Sequence, residues 1–318
     1  MKAFNSKLFN ITTNLVQNSY SAFIPKFILR SNIQYILNNY SSIFKPKLKP
    51  DNVLGQNRPF WEYFSPKFIE WNRYHNGDLI SSIQHEELFN LFSQIISCVH
   101  KKQWEFEIQT INNVSNSKSD LINLYSLDEL VVQDSQDLIP SISLESMQKN
   151  MKHYESKIFH TNNEDVSCEL WTGRVTWHNN GGSHHFAAAR YIAKQLNHPI
   201  NLISKLDIYS LNSNVITKIF RKYTIFLLSS RNAVLYNLLY NCLYYSKANF
   251  ITGSINSYYS SIDEDHNTLR IFAFMLNDKK ARKIIESFNN SKCLNLEEYF
   301  NDLLYKQRTL KTKLVNIL

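Results

Sequence analysis

The residues best suited to chemistry stand in one short run, Gly181-Gly182-Ser183-His184-His185, with Arg190 further along. Two adjacent histidines offer rings that titrate near neutral pH, so each can move a proton or hydrogen-bond an anion. Glycines ahead of them let the backbone come close to a ligand. A helix starting there turns its unpaired N–H groups and the positive end of its dipole toward the same spot, which suits an anion. The pattern points to phosphate or nucleotide binding. His184 and His185 are the candidate catalytic groups; Gly181, Gly182, Ser183 and Arg190 are the candidate ligand-binding groups. Asp207 is a further candidate base or metal ligand, and His178 reads as a surface histidine at a strand edge. The plain alternative is a tight turn, a capping serine and a solvated arginine.

Local sequence supplies the elements that would hold these groups. Arg174-Val175-Thr176-Trp177 has the β-branched and aromatic content of a strand. Asn179-Asn180-Gly181-Gly182 is turn chemistry, and Ser183 is a good N-cap. Phe186, Ala189, Ala193 and Leu196 then recur at helical spacing, while Ala187 and Ala188 are small enough to let a helix lie close on a sheet. Asn197-His198-Pro199 ends the helix, and Ile200 to Leu211 alternates as a second strand.

Residues 181–188, Gly-Gly-Ser-His-His-Phe-Ala-Ala, resemble the Gly-Gly-Cys-His-Arg-Tyr-Ala-Ala signature of sulfiredoxins and the Gly-His-His-Arg and Gly-Glu-Arg-Arg boxes of ParB proteins. Upstream, Val131-Val132 and Asp137-Leu138-Ile139-Pro140 are similar to the first strand of that fold and its proline. Ser143 to Met151 is similar to the helix that follows. The likeness covers roughly residues 130–212. It implies a ParB/sulfiredoxin-like α+β core whose loop and helix start hold the phosphates of a nucleotide, ATP or another NTP. Ser183 stands where sulfiredoxins carry their cysteine, so reduction of sulfinic acids is not implied. His185 stands where ParB-type boxes carry arginine.

The rest of the 318-residue chain frames this stretch. It is 43% hydrophobic, enough for a sizeable core, and carries a net charge of +8. Residues 1–50 hold seven Lys/Arg and no Asp or Glu, leaving +1 for the remainder (8 − 7). This basic, amphipathic arm fits a helical extension, a targeting or membrane-surface helix, or a nucleic-acid contact. Lys45 to Pro59 concentrates three of the seven prolines and reads as a linker. Phe60 to Trp71 reads as helical, as does Glu86 to His100; Trp104 to Ile108 alternates as a strand. Downstream, Thr224–Leu228 and Thr268–Leu276 read as strands, Asn232–Leu243 and Lys279–Phe288 as helices, the last capped by Asp278.

The fold expected is α+β, in four blocks. They are an arm (1–50), a helix-rich region (51–130), the ParB/sulfiredoxin-like core (131–212) and an additional C-terminal α/β region (213–318). Cys98, Cys168, Cys242 and Cys293 form no Cys-x-x-Cys pair, which argues against a cysteine zinc motif and for reduced thiols in a cytoplasmic setting. The cluster Asp263-Glu264-Asp265-His266 reads as a solvated loop or a Mg²⁺ contact, and no metal ligand is assigned. No apolar run is long enough to span a membrane. Three functions follow: an NTPase or phosphotransferase, a nucleic-acid-binding module using the arm, or a non-catalytic structural or partner-binding protein. Oligomeric state is not legible.

Overall fold

The architecture comes from a computed structural model that describes residues 26–46, 54–55, 69–75, 78–82, 87–121, 123–255, 269–291 and 293–314. In chain order the first elements are α1 (Lys26–Phe44), β1 (Ile69–His75), β2 (Asp78–Ser82), α2 (Glu87–Phe92), β3 (Ile96–Glu107) and β4 (Asn113–Val114). Then come α3 (Leu127–Asp134), α4 (Leu144–Met151), β5 (Asp165–Glu169), β6 (Arg174–Trp177), α5 (Ser183–Gln195) and β7 (Asn201–Leu211). The last are α6 (Ser213–Lys222), β8 (Tyr223–Ser229), α7 (Ala233–Tyr245), β9 (Phe250–Ile255), β10 (Leu269–Met275), α8 (Lys279–Asn289), β11 (Leu294–Asn295) and α9 (Leu296–Leu314). The fold class is α+β, as the sequence suggests.

Contacts gather the chain into two units, each discontinuous in sequence. One holds residues 94–213 together with 49–59 and 301–318; the other holds the remainder. These units cut across the four sequential blocks expected, because a strand from one end of the chain completes a sheet built at the other. β1, for example, pairs antiparallel with β9, matching Tyr74 with Phe250.

The unit of residues 94–213 carries the candidate site. Its sheet runs β3-β7-β5-β6-β4 and is mixed: β3/β7 and β5/β6 are antiparallel, β5/β7 and β4/β6 parallel. Trp177, Val175, Val166 and Leu206 form its core face with Phe186 from α5. The Trp177 and Phe186 rings lie 5.1 Å apart. Ala187, Ala188, Ala189 and Ala193 are all buried, which is how α5 lies so close to its neighbours. α3 and α4 pack against α5. Gln307 of α9 closes the end of β7, its amide accepting from Leu211 N–H at 2.7 Å and donating to Leu211 C=O at 3.0 Å.

The other sheet runs β11-β8-β10-β9-β1-β2, antiparallel throughout. β8 is buried along its whole length, and its centre, Ile225-Phe226-Leu227-Leu228, is an unbroken apolar run. Its core is aromatic: Phe226, Phe250, Phe272, Phe274 and Phe288 are essentially inaccessible. α1 adds Ile33, Ile36, Leu37 and Phe44 to this core, and α7 adds Leu235, Leu239 and Leu243. Asp278 caps α8 as expected, accepting from Lys280 N–H, and Asn232, read as part of its helix, instead caps α7, accepting from Leu235 N–H.

Four local expectations fail. Val131 and Val132 lie in α3, not in a strand. Ser126 accepts from Glu129 N–H, and Asp128 and Glu129 sit in the first turn, so capping overrides the β-branched pair. Asp137 and Leu138 follow in a 3₁₀ turn, Gln136–Leu138, with Ile139 and Pro140 beyond it, so none of them is in a strand. Of the described residues 87–100, read as helical, only Glu87–Phe92 is helix; from Ile96 the chain is a strand paired with β7. Ile69 to Trp71 belongs to β1 rather than a helix. The reading of residues 60–68, of Asp263 to His266 and of most of the basic arm lies outside the described residues. Among the described residues, no helix is long and apolar enough to cross a membrane.

Candidate functional site

Two loops are clasped before α5 begins. Asn179 is completely buried. Its amide donates to Asn116 C=O at 2.8 Å and accepts from Asn116 N–H at 3.1 Å, while the Asn116 amide donates to Asn179 C=O at 2.8 Å. Segment 115–119 is thereby fixed to segment 178–182. The turn asparagine of the sequence is thus an anchor, its buried polar atoms paired.

Gly182, not Ser183, is the N-cap of α5, with φ +71°. A Cβ there would stand 2.7 Å from the carbonyl carbon and oxygen of Glu155 and from Ser156 N, so only glycine fits. The close approach that the sequence suggests is therefore made first to protein backbone. Ser183 is the first helical residue and its hydroxyl donates to Ser117 Oγ at 3.3 Å. Gly182 brings no capping side chain, and Phe186 N–H, bonded to Gly182 C=O at 2.9 Å, is the first to find a helical acceptor. The N–H groups of the opening turn precede it.

A cavity of about 570 Å³ opens at this helix start. Gly181, Gly182, Ser183, His184 and His185 all line it, so five of the six expected site residues are brought together. Lys118, Asp134, Asp137, His153, Tyr154 and Glu155 complete its charged and titratable wall. Arg190 does not line it. Its guanidinium is held by Asp128 at 2.7 Å and donates from Nε to Ile111 C=O at 3.0 Å. Lys194 shares the same carboxylate at 2.6 Å. Burial pushes the Asp128 carboxyl up, but Lys194 and Arg190 more than offset it and hold it below its ordinary value. Arg190 is thus committed to an ion pair. Asp207 lies on β7 beside His100, away from the cavity-lining set.

The two histidines are held differently. His184 is gripped on both ring nitrogens: Nδ1 lies 2.6 Å from Ser135 Oγ, and Nε2 lies 3.2 Å from Ser117 Oγ and 3.3 Å from Ser119 Oγ. It ties α5 to the segments before and after α3. His185 Nδ1 lies 2.8 Å from Asn150 Oδ1. Both amide hydrogens of Asn150 are spent, on Leu138 C=O at 2.8 Å and Ser146 C=O at 3.0 Å. Its oxygen must therefore face His185, and Nδ1 must carry the proton. Neutral His185 then keeps its lone pair on Nε2. Burial, and then the His153 ring stacked at 3.7 Å, push its pKa below the ordinary histidine value against the opposing pull of Glu155. His185 is thus a neutral base near pH 7, not the cation that would neutralise charge on a phosphate.

Ser117, Lys118, Ser135, Asn150, His153 and Glu155 were not among the expected site residues. They come from three other segments, and no spacing within the sequence relates them to His185. The serine-rich run 115–119 (Ser-Asn-Ser-Lys-Ser) was the one visible hint.

Residues 101–313 match the model of a protein family described as a family of unknown function (DUF6685). No curated protein and no solved structure matches the chain.

Proposed function

The chain belongs to the DUF6685 family, and we propose for it a function read from the cavity: binding of a phosphate-bearing small molecule, a nucleotide such as ATP or another NTP, with hydrolysis or transfer of the phosphoryl group. The observation that carries this reading is the uncapped start of α5 opening into the same cavity as a neutral, oriented His185. The opening N–H groups suit phosphate oxygens, and Lys118 adds a positive charge. A cavity of about 570 Å³ is in the range of small-molecule sites. His185 Nε2 would take the proton of a water, or of an acceptor hydroxyl, as its oxygen bonds to phosphorus and the leaving oxygen departs. Asp134, Asp137 and Glu155 make the wall acidic as well as basic. That favours phosphates arriving with a divalent cation such as Mg²⁺, which would offset the carboxylates.

A non-catalytic role is the second reading, and the fit of Gly182 against the Glu155 backbone favours it, since the turn is then justified by packing alone. The nucleic-acid reading draws on the basic arm, most of which lies outside the described residues. The four unpaired cysteines support a reducing, cytoplasmic setting. The test is phosphate release from a panel of NTPs with Mg²⁺, comparing wild type with His185→Gln. Turnover that falls by about 100-fold or more in the variant supports a general base. Turnover unchanged in the variant, or absent from the wild type, contradicts the catalytic part.

A further inference from the structure

A second group of chemically able side chains lies on the face of the sheet opposite the Trp177 core. Along β7, Leu206 points into that core, so by strand alternation Asp207 points to the other side. β3 pairs antiparallel with β7, placing His100 opposite Asp207 and Cys98 opposite Tyr209. Cys98 and His100 are two residues apart on one strand and so share that face. His100 Nδ1 lies 2.6 Å from Asp207 Oδ1, and Cys98 Sγ lies 3.9 Å from His100 Nδ1. All three donor atoms lie within 4.8 Å of one another.

We propose that Cys98 Sγ, His100 Nδ1 and Asp207 Oδ1 bind a divalent transition-metal ion of the zinc class, with water in the fourth position. The donor set selects the metal: thiolate and imidazole suit zinc-like ions, whereas Mg²⁺ and Ca²⁺ take oxygen ligands. The spacing suits a tetrahedron. With N and O ligands at about 2.0 Å and S at about 2.3 Å from the ion, ligand atoms stand about 3.3–3.6 Å apart. The Cys98–His100 separation is already close to this. The His100–Asp207 pair needs to open by less than about 1 Å, exchanging its hydrogen bond for two metal bonds. On binding, the His100 ring shifts its proton to Nε2 and the Cys98 thiol releases its proton to solvent. The side chains of His100 and Asp207 are 73% and 39% exposed, so an ion reaches them without disturbing the core. Three protein ligands plus water is the arrangement of zinc sites that keep an open position. The residues are distinct from those lining the cavity at α5, so this site stands or falls independently of the nucleotide reading.

The test is titration of the reduced full-length chain with Co²⁺, followed by absorbance. One equivalent should produce a thiolate-to-cobalt charge-transfer band in the near ultraviolet and intense tetrahedral bands in the visible. Zn²⁺ should abolish both. Cys98→Ser and His100→Ala should lose the bands with circular dichroism unchanged, and Asp207→Asn should weaken binding by at least about tenfold. Cys168, Cys242 and Cys293 remain in every variant as internal controls. No charge-transfer band in the wild type, or a band that survives Cys98→Ser or His100→Ala, overturns the proposal.

Discussion

His185 owes its protonation state to Asn150, His153 and burial, and each influence has a measurable consequence. Asn150→Ala removes the acceptor for Nδ1 and leaves the carbonyls of Leu138 and Ser146 without that donor. With Asn150 buried, this should lower stability by about 1–3 kcal/mol in chemical denaturation. The pH dependence follows from the lowered pKa. Above the ordinary histidine value both folded and unfolded chains hold a neutral ring, and nothing is lost. As pH falls through that value the unfolded chain binds the proton first, so stability declines until the folded-state pKa is passed. Melting temperature should therefore drop as pH falls from about 7.5 through the ordinary histidine value toward the lowered one, and less steeply in His185→Gln. An identical slope in the variant would remove His185 as the cause. Arg190 belongs to a different account. Asp128→Asn should cost about 1–2 kcal/mol, mainly through the largely buried Arg190, since the more exposed Lys194 contributes little. Because the Asp128 carboxyl is held below its ordinary value, this contribution is present above the ordinary carboxylate range and is lost as pH falls through the lowered pKa.

The strand-turn-helix-strand passage from Arg174 to Leu211 was legible because each piece carries its own local signal: a β-branched strand, Asn-Gly punctuation, an alanine-rich stripe and a closing proline. What the sequence obscured was why Gly182 is glycine. The answer lies far upstream in the sequence, in the backbone of Glu155 and Ser156. Gly182→Ala should destabilise by about 1–3 kcal/mol, the cost of a left-handed non-glycine residue made worse by a 2.7 Å approach to backbone. A circular-dichroism melt unchanged from wild type would contradict the packing described. Trp104 to Glu107 was read correctly as a strand, but the starts of β1 and β3, Ile69 to Trp71 and Ile96 to His100, were misread for a related reason. Their pairing partners, β9 and β7, are distant in sequence, and tertiary pairing outweighs local propensity at such places. α3 could have been read correctly from Ser126-Leu127-Asp128-Glu129, a capping sequence that precedes the misleading Val131-Val132.

Across the whole chain, composition gave the class and little of the arrangement. Two sheets with separate cores, each assembled from discontinuous stretches, leave no boundary for a proline or a charge run to mark. The site shares this property: its motif residues were visible, while its wall came from segments around 117, 137 and 153. The cysteines offer a check on the fold. Cys98 is exposed, Cys168 and Cys242 are buried, and burial pushes both buried thiols up to about 12. Cys98 should therefore label fast in the native protein, the half-buried Cys293 more slowly, and Cys168 and Cys242 only on unfolding, as mass spectrometry after alkylation would read. Rapid labelling of either buried cysteine would contradict the two cores. The most direct test of the cavity is thermal unfolding with ATP, GTP, CTP, ADP and NAD, with and without Mg²⁺, on wild type and on Lys118→Glu. Lys118 is exposed, so its reversal leaves the fold intact while opposing a phosphate. A ligand at about a hundred times its dissociation constant should add about 2.7 kcal/mol to the wild type and much less to the variant. No stabilisation of the folded wild type by any of them would contradict a nucleotide site at the start of α5.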